Sequence, residues 1–188
     1  MNKENKSSNK KKPIYKNKKL IVVVIILVVI ITLASIMFGI NSIQKANEDD
    51  ISLHISMKEN QREFNNGTDI ISTIKLKNIA GHPIKLRAPF SYYIDIYVIY
   101  NGQKFREKQP DLDYAGPDWE ILWNSEPIYF KRSLDHIDFE GPNGTRNNNL
   151  FKSPGEFEIY CALQWTSGES MNLEMNKESN HITIEVIE

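Results

Sequence analysis

Four histidines, one cysteine and many carboxylates are the side chains of this 188-residue chain that could act on a substrate or hold a metal. His54, His82, His136 and His181 lie far apart, and no His-Glu-x-x-His occurs. The spacing that places two imidazoles on one helical face is therefore missing, and a zinc protease is unsupported. His136 with Asp135 and Asp138 has metal-ligand chemistry, but it reads as a solvated strand edge. Gly-x-Ser-x-Gly, the turn that exposes a nucleophilic serine, does not occur. Cys161 sits between Ile159 and Leu163 in an alternating run and is expected to be a buried, inert thiol. A lone cysteine forms no intrachain disulfide. Asp111, Asp113, Asp118 and Glu120 fall in a Pro/Gly-containing stretch. They are read as a solvated acidic loop, with weak calcium binding as the alternative, since the spacing is not that of an EF-hand. No catalytic set, cofactor or metal is expected. Aromatic residues supply the candidate interaction surface instead: Tyr93, Tyr97 and Ile99 on one face of a strand, with Tyr114, Trp119 and Trp123 further on, close to Tyr129. Aromatic side chains are enriched where proteins meet partners, and the opposing expectation is that a loop or helix covers that face.

Charge is distributed unevenly. The chain holds 23 Lys and Arg against 24 Asp and Glu, for a formal net charge of −1. Residues 1–19 contain eight Lys and one Glu, residues 20–40 carry no charge, and residues 41–188 hold 15 basic and 23 acidic residues, a net of −8. A nucleic-acid binder working through overall basicity is thereby excluded.

The uncharged stretch Leu20–Ile40 lacks Pro and Asn as well. As a helix it would extend about 31 Å, matching the roughly 30 Å hydrocarbon core of a bilayer. Its β-branched composition would suit a strand in water, but in lipid only a helix satisfies its own backbone. Lys10, Lys11, Lys12, Lys16, Lys18 and Lys19 precede it, and Lys45 then Glu48, Asp49 and Asp50 follow; counting Lys and Arg near the ends places the N-terminus in the cytoplasm. A cleaved signal peptide is the alternative; its apolar region is usually shorter. Residues 1–19 are expected to be a disordered basic tail, acting as a topology signal or touching anionic head groups. Residues 41–50 read as a polar linker.

From residue 51 the hydrophobic period is two. Ile51, Leu53, Ile55 and Met57 form one row; Ile70, Ile74 and Leu76 another; then Tyr92, Ile94, Ile96, Val98 and Tyr100; then Phe157, Ile159, Cys161, Leu163 and Trp165; then Ile182, Ile184 and Val186. Such alternation marks strands with one buried face. Asn66-Gly67, Gly81-His82-Pro83, Asn101-Gly102, Pro154-Gly155 and Ser167-Gly168 punctuate them. Asn101-Gly102 suits a two-residue type I′ hairpin. Residues 119–123 read as a strand or a short turn. Seven to nine short strands in 51–188 predict an all-β antiparallel sandwich preceded by one transmembrane helix.

Three phrases resemble bacterial immunoglobulin-like domains. Pro154-Gly155-Glu156-Phe157-Glu158-Ile159 is similar to the start of a late strand in that family. Ser179-Asn180-His181-Ile182-Thr183-Ile184-Glu185-Val186 is similar to its closing strand. Lys75-Leu76-Lys77-Asn78 followed by Gly81-His82-Pro83-Ile84 is similar to an early strand and turn. The resemblance covers about 51–188 and implies an immunoglobulin-like sandwich used for surface recognition or spacing. It departs from antibody domains, since Cys161 has no partner cysteine and Trp165 follows it in the same strand. It carries over no functional residues.

The function expected is a single-pass, membrane-anchored extracytoplasmic binding module, non-enzymatic, recognising an envelope protein or cell-wall component. Alternatives are an accessory or regulatory subunit of a membrane complex, and, as minor readings, a wall-active enzyme or a protease inhibitor.

Overall fold

In the computed structural model the apolar stretch forms helix α1, Lys18–Asn41. The structure describes residues 18–88, 92–108, 118–124, 126–166 and 173–188. The segment Ile21–Ile40 of α1 is long and apolar enough to cross a membrane, and its large hydrophobic side chains are exposed. Its hydroxyls are satisfied within the helix: Thr32 Oγ1 donates to the Val28 carbonyl and Ser35 Oγ to that of Ile31, each at 2.8 Å. Back-bonding of this kind leaves no polar group wanting a partner, as an apolar solvent requires. The chain divides into two compact units, residues 1–43 and 44–188.

The second unit is built from strands. Those of the first half are β1 (Ile51–Met57), β2 (Glu63–Asn65), β3 (Ile71–Asn78), β4 (Ile84–Ala88), β5 (Ile94–Tyr100) and β6 (Gln103–Glu107). Then come β7 (Asp118–Leu122), β8 (Ile128–Ser133), β9 (Phe139–Glu140), β10 (Arg146–Asn147), β11 (Gly155–Thr166), β12 (Leu173–Glu178) and β13 (Ile182–Ile187). A smaller sheet has the order β1-β3-β8, and a larger one runs β10-β9-β6-β5-β11-β13-β2, with β12 also on β11. β4 and β7 form a separate antiparallel pair. The chain passes from β3 to β5 in the other sheet, and β8 returns to pair with β3. This alternation between two mainly antiparallel sheets is the immunoglobulin-like arrangement. The pairing of β13 with β2 is parallel, which a three-residue strand is too short to announce in its sequence.

The core lies between the sheets. Ile51, Ile55, Ile74, Leu76, Ile96, Val98, Phe157, Ile159, Cys161 and Leu163 are fully buried in it, so the period-two rows of these strands do face inward. The row from Tyr92 to Tyr100 is shorter than its alternation suggests: Tyr92 is 43% exposed, because the backbone bends at Tyr93 before β5 begins. Asn101 and Gly102 join β5 to β6 with φ of 50° and 73°, between the partners Tyr100 and Gln103. This is the left-handed pair of a type I′ turn.

Each family-like phrase has a structural task. Asn78 is fully buried; its Nδ2 donates to the carbonyls of His82 and Leu122, both at 2.8 Å, and its Oδ1 accepts from the Ala80 N–H at 2.9 Å. It thus ties the end of β3 to the following turn and to β7. Ser179 Oγ accepts from the Cys161 N–H at 3.0 Å. Asn180 accepts from the Ile55 N–H at 2.9 Å and donates to its carbonyl at 3.0 Å, occupying the free edge of β1 as a neighbouring strand would. Gly155 has φ of 147°, and a Cβ there would lie 2.9 Å from the Tyr100 ring. Residues 44–46, read from sequence as linker, run beside β4: Ala46 N–H donates to the Lys85 carbonyl and Lys85 N–H to that of Gln44, and Ala46 is buried.

Candidate interaction surfaces

The outer face of the larger sheet is filled by its own side chains. Tyr97 of β5 and Tyr160 of β11 are register partners with rings stacked at 5.0 Å. Tyr160 in turn stacks on His181 at 4.3 Å. Lys104 Nζ lies 4.3 Å from the Tyr97 ring centre and 5.1 Å from that of Tyr160, within cation–π range. Tyr97 OH donates to Gln164 Oε1 at 2.8 Å, and Arg106 donates to Asp95 Oδ2 through Nη2 at 2.6 Å and Nε at 2.9 Å. His181 Nδ1 is 2.6 Å from Glu158 Oε1. Tyr97 is only 7% exposed and Tyr160 3%, and burial pushes the Tyr97 phenol above its usual 10.0.

Of the six side chains proposed from sequence as a surface, the five among the described residues do not form one patch. Tyr97 is buried in this ladder, and Ile99 is half-buried against it. Tyr93, past the bend, turns toward the core and meets Trp165 edge-on at 6.1 Å. Trp119 reaches the same Trp165 edge-on at 6.5 Å, under Lys45 Nζ at 4.8 Å. Trp123 stands apart, 59% exposed just after β7. Tyr114 lies outside the described residues, as do Asp111 and Asp113 of the acidic stretch and the turn Ser167-Gly168.

The outer face of the smaller sheet is open. Its register aligns His54 with Lys75, and Lys75 with Tyr129. The neighbouring rows are Ser56, Thr73 and Lys131, then Ser52 and Lys77. Tyr129 is 60% exposed; His54, Lys77 and Lys131 are exposed, and Lys75, Thr73, Ser52 and Ser56 half-buried. β1, β3 and β8 contain no Asp or Glu at all. Carboxylates begin only past the strand ends, at Asp50, Glu59, Asp69, Glu126 and Asp135. Sequence reading alone missed this face. Its signal, three acid-free segments in a net-acidic domain, acquires meaning only when the three strands are seen to be neighbours.

Two further groupings bear on chemistry. Asp69, rather than Asp138, joins Asp135 and His136, with one ligand atom from each within 4.8 Å of the others, beside a cleft of about 220 Å³ that Asn149 and Lys152 also line. Asp135 Oδ1 already accepts from the Ile70 N–H and the Ser133 hydroxyl, so this carboxylate fastens the β8 end to the start of β3. Ser72 and Lys75 have a Ser-x-x-Lys spacing, but on a strand an odd separation points them to opposite faces; Ser72 is buried and donates to the Arg132 carbonyl. Cys161 is buried, and that burial lifts its thiol to about 12. Burial likewise raises the Glu107 carboxyl above its usual 4.5, against Arg132 nearby and the Ile96 N–H, which lower it.

No protein-family model matches the sequence, and no curated protein matches it. Among solved structures, the chain is similar to the CARDB domain of a Pyrococcus furiosus protein, at 12% identity and a TM-score of 0.36, over 73% of this chain and 94% of that one. It is also similar to part of a β-glucosidase from Listeria innocua in complex with glucose, at 14% identity and a TM-score of 0.34, over 72% of this chain and 16% of that one. A β-glucosidase from Erythrobacter marinus gives 11% identity and a TM-score of 0.34, over 73% and 15%. The chain thus spans about one sixth of the glucosidases it matches, and likenesses this distant say nothing of activity.

Proposed function

We propose that this protein is a single-pass membrane-anchored binding module. α1 is its anchor, the N-terminus is cytoplasmic, and the sandwich lies outside, where it recognises an envelope component without catalysis. The observation that carries the reading is the contrast between the sandwich's two outer faces. The larger sheet closes its face with the Tyr97–Tyr160–His181 ladder, while the smaller leaves Tyr129, Lys77 and Lys131 in solvent, with Lys75 half-buried between them. An open sheet face with a protruding aromatic is a surface for a partner. The eight lysines of residues 1–19, against Lys45 alone among residues 41–55, support the orientation through the positive-inside rule.

Single cysteines test the placement, because the native Cys161 is buried. With Asn5→Cys and Lys131→Cys variants, a membrane-impermeant maleimide applied to intact cells should label position 131 and not position 5. Labelling of position 5 alone, or release of a domain lacking α1 into the medium, would contradict it.

A further inference from the structure

We infer that the open face of the smaller sheet binds a linear, phosphate-bearing polyanion of the envelope. This deepens the proposed function and rests on its outward placement of the domain. Lys75 and Lys77 are two residues apart on β3, so their stems leave the sheet about 7 Å from one another. Lys131 stands on β8, beside Thr73 in the register, about 5 Å across the sheet. None of the three lysines is ion-paired with a described residue. The surface they frame offers further donors: His54, Ser52 and Thr73, with Tyr129 at one margin.

The domain as a whole is acidic, so its average field repels a polyanion. The local field decides, since charges are screened within about 8 Å at physiological salt and the three strands hold no carboxylate. Composition also separates the occupants. The buried centres of protein–protein interfaces are depleted in Lys and enriched in aromatic residues and Arg; this face has three lysines around one tyrosine. Bilayer-seated surfaces need apolar side chains that enter the headgroup layer, whereas here Ser, Thr and His fill the gaps. A flexible chain of phosphodiesters can lie across the strands and meet successive lysines, with the hydroxyls donating to its oxygens.

The test uses the full chain in zwitterionic-lipid nanodiscs and synthetic poly(glycerol phosphate) as the probe. Wild type should bind, and weaken about 20-fold for a roughly fourfold rise in salt, the slope of about three neutralised phosphates. A Lys75→Gln/Lys77→Gln/Lys131→Gln variant should lose about tenfold or more. Arg146→Gln/Lys152→Gln/Lys177→Gln, with the same change in net charge on other surfaces, should lose less than about twofold. Single Lys77→Gln, a milder change, should lose about threefold. Absence of binding by wild type, equal losses in the two triple variants, or equal competition by vesicles of phosphatidylglycerol would overturn the inference. The maleimide labelling reports the placement separately: with position 131 labelled from outside and no polymer bound, the inference falls and the anchored module stands.

Discussion

Lys75 and Tyr129 are register partners on β3 and β8, side by side on the outer face of the smaller sheet. Neither supports the core: Tyr129 is 60% exposed, and Lys75 is only half-buried. Tyr129→Ala should therefore leave stability within about 0.5 kcal/mol of wild type, as exposed substitutions usually do. It should weaken poly(glycerol phosphate) binding several-fold. Thermal melting and a binding isotherm on the same sample measure both; a large drop in Tm would show that the ring is structural.

Asn180 gives the opposite profile. It meets both backbone groups of Ile55, far from the lysine face in sequence and on the edge of β1. Asn180→Ala leaves those groups without that partner and should cost about 1–3 kcal/mol, with polymer affinity unchanged in the folded protein. Denaturant unfolding reads the loss. An unchanged midpoint would mean that water replaces the side chain without penalty.

Cys161 should resist alkylation at neutral pH. The thiolate is the reactive species, and burial holds the thiol at about 12. A thiol reagent should modify the protein only as it unfolds, with the rate rising through the denaturation transition. Rapid modification under native conditions would show that β11 opens locally.

Glu107 sets a pH dependence of known sign. Burial raises its carboxyl above 4.5 in the folded state, so between the unfolded and folded values the native protein binds the proton more tightly. Stability must then fall as pH rises through that window. Glu107→Gln keeps an acceptor for the Ile96 N–H and should flatten the fall. Stability measured against pH for the two proteins checks this; parallel curves would remove Glu107 as the cause.

The strands with strict alternation were legible in the sequence because each has one face in the core. Ile51 to Met57 and Phe157 to Trp165 needed nothing more than period two. Asn101-Gly102 announced its hairpin because so few residues tolerate that backbone. β2, β9 and β10 were not legible, since two or three residues cannot display a period. The surface was harder still. Tyr97 has the parity of an outward residue, and it does point out; it is covered by Lys104 from the next strand of the hairpin and by Tyr160, itself stacked on His181, from a distant part of the chain. Parity gives a face, but only the pairing of strands says what stands beside a residue on it. The acid-free face of His54, Lys75, Lys77 and Lys131 was hidden for the same reason.

The two outer faces differ, one closed by its own side chains and one open, where the proposed envelope component would bind. Site-specific photocrosslinking in intact cells compares them directly, with the crosslinker at position 129 on the smaller sheet and at position 183, exposed on the larger sheet. Adducts with an extracytoplasmic component from position 129, and few or none from position 183, are the predicted result. Adducts from position 183 alone, or none from position 129, would contradict the account.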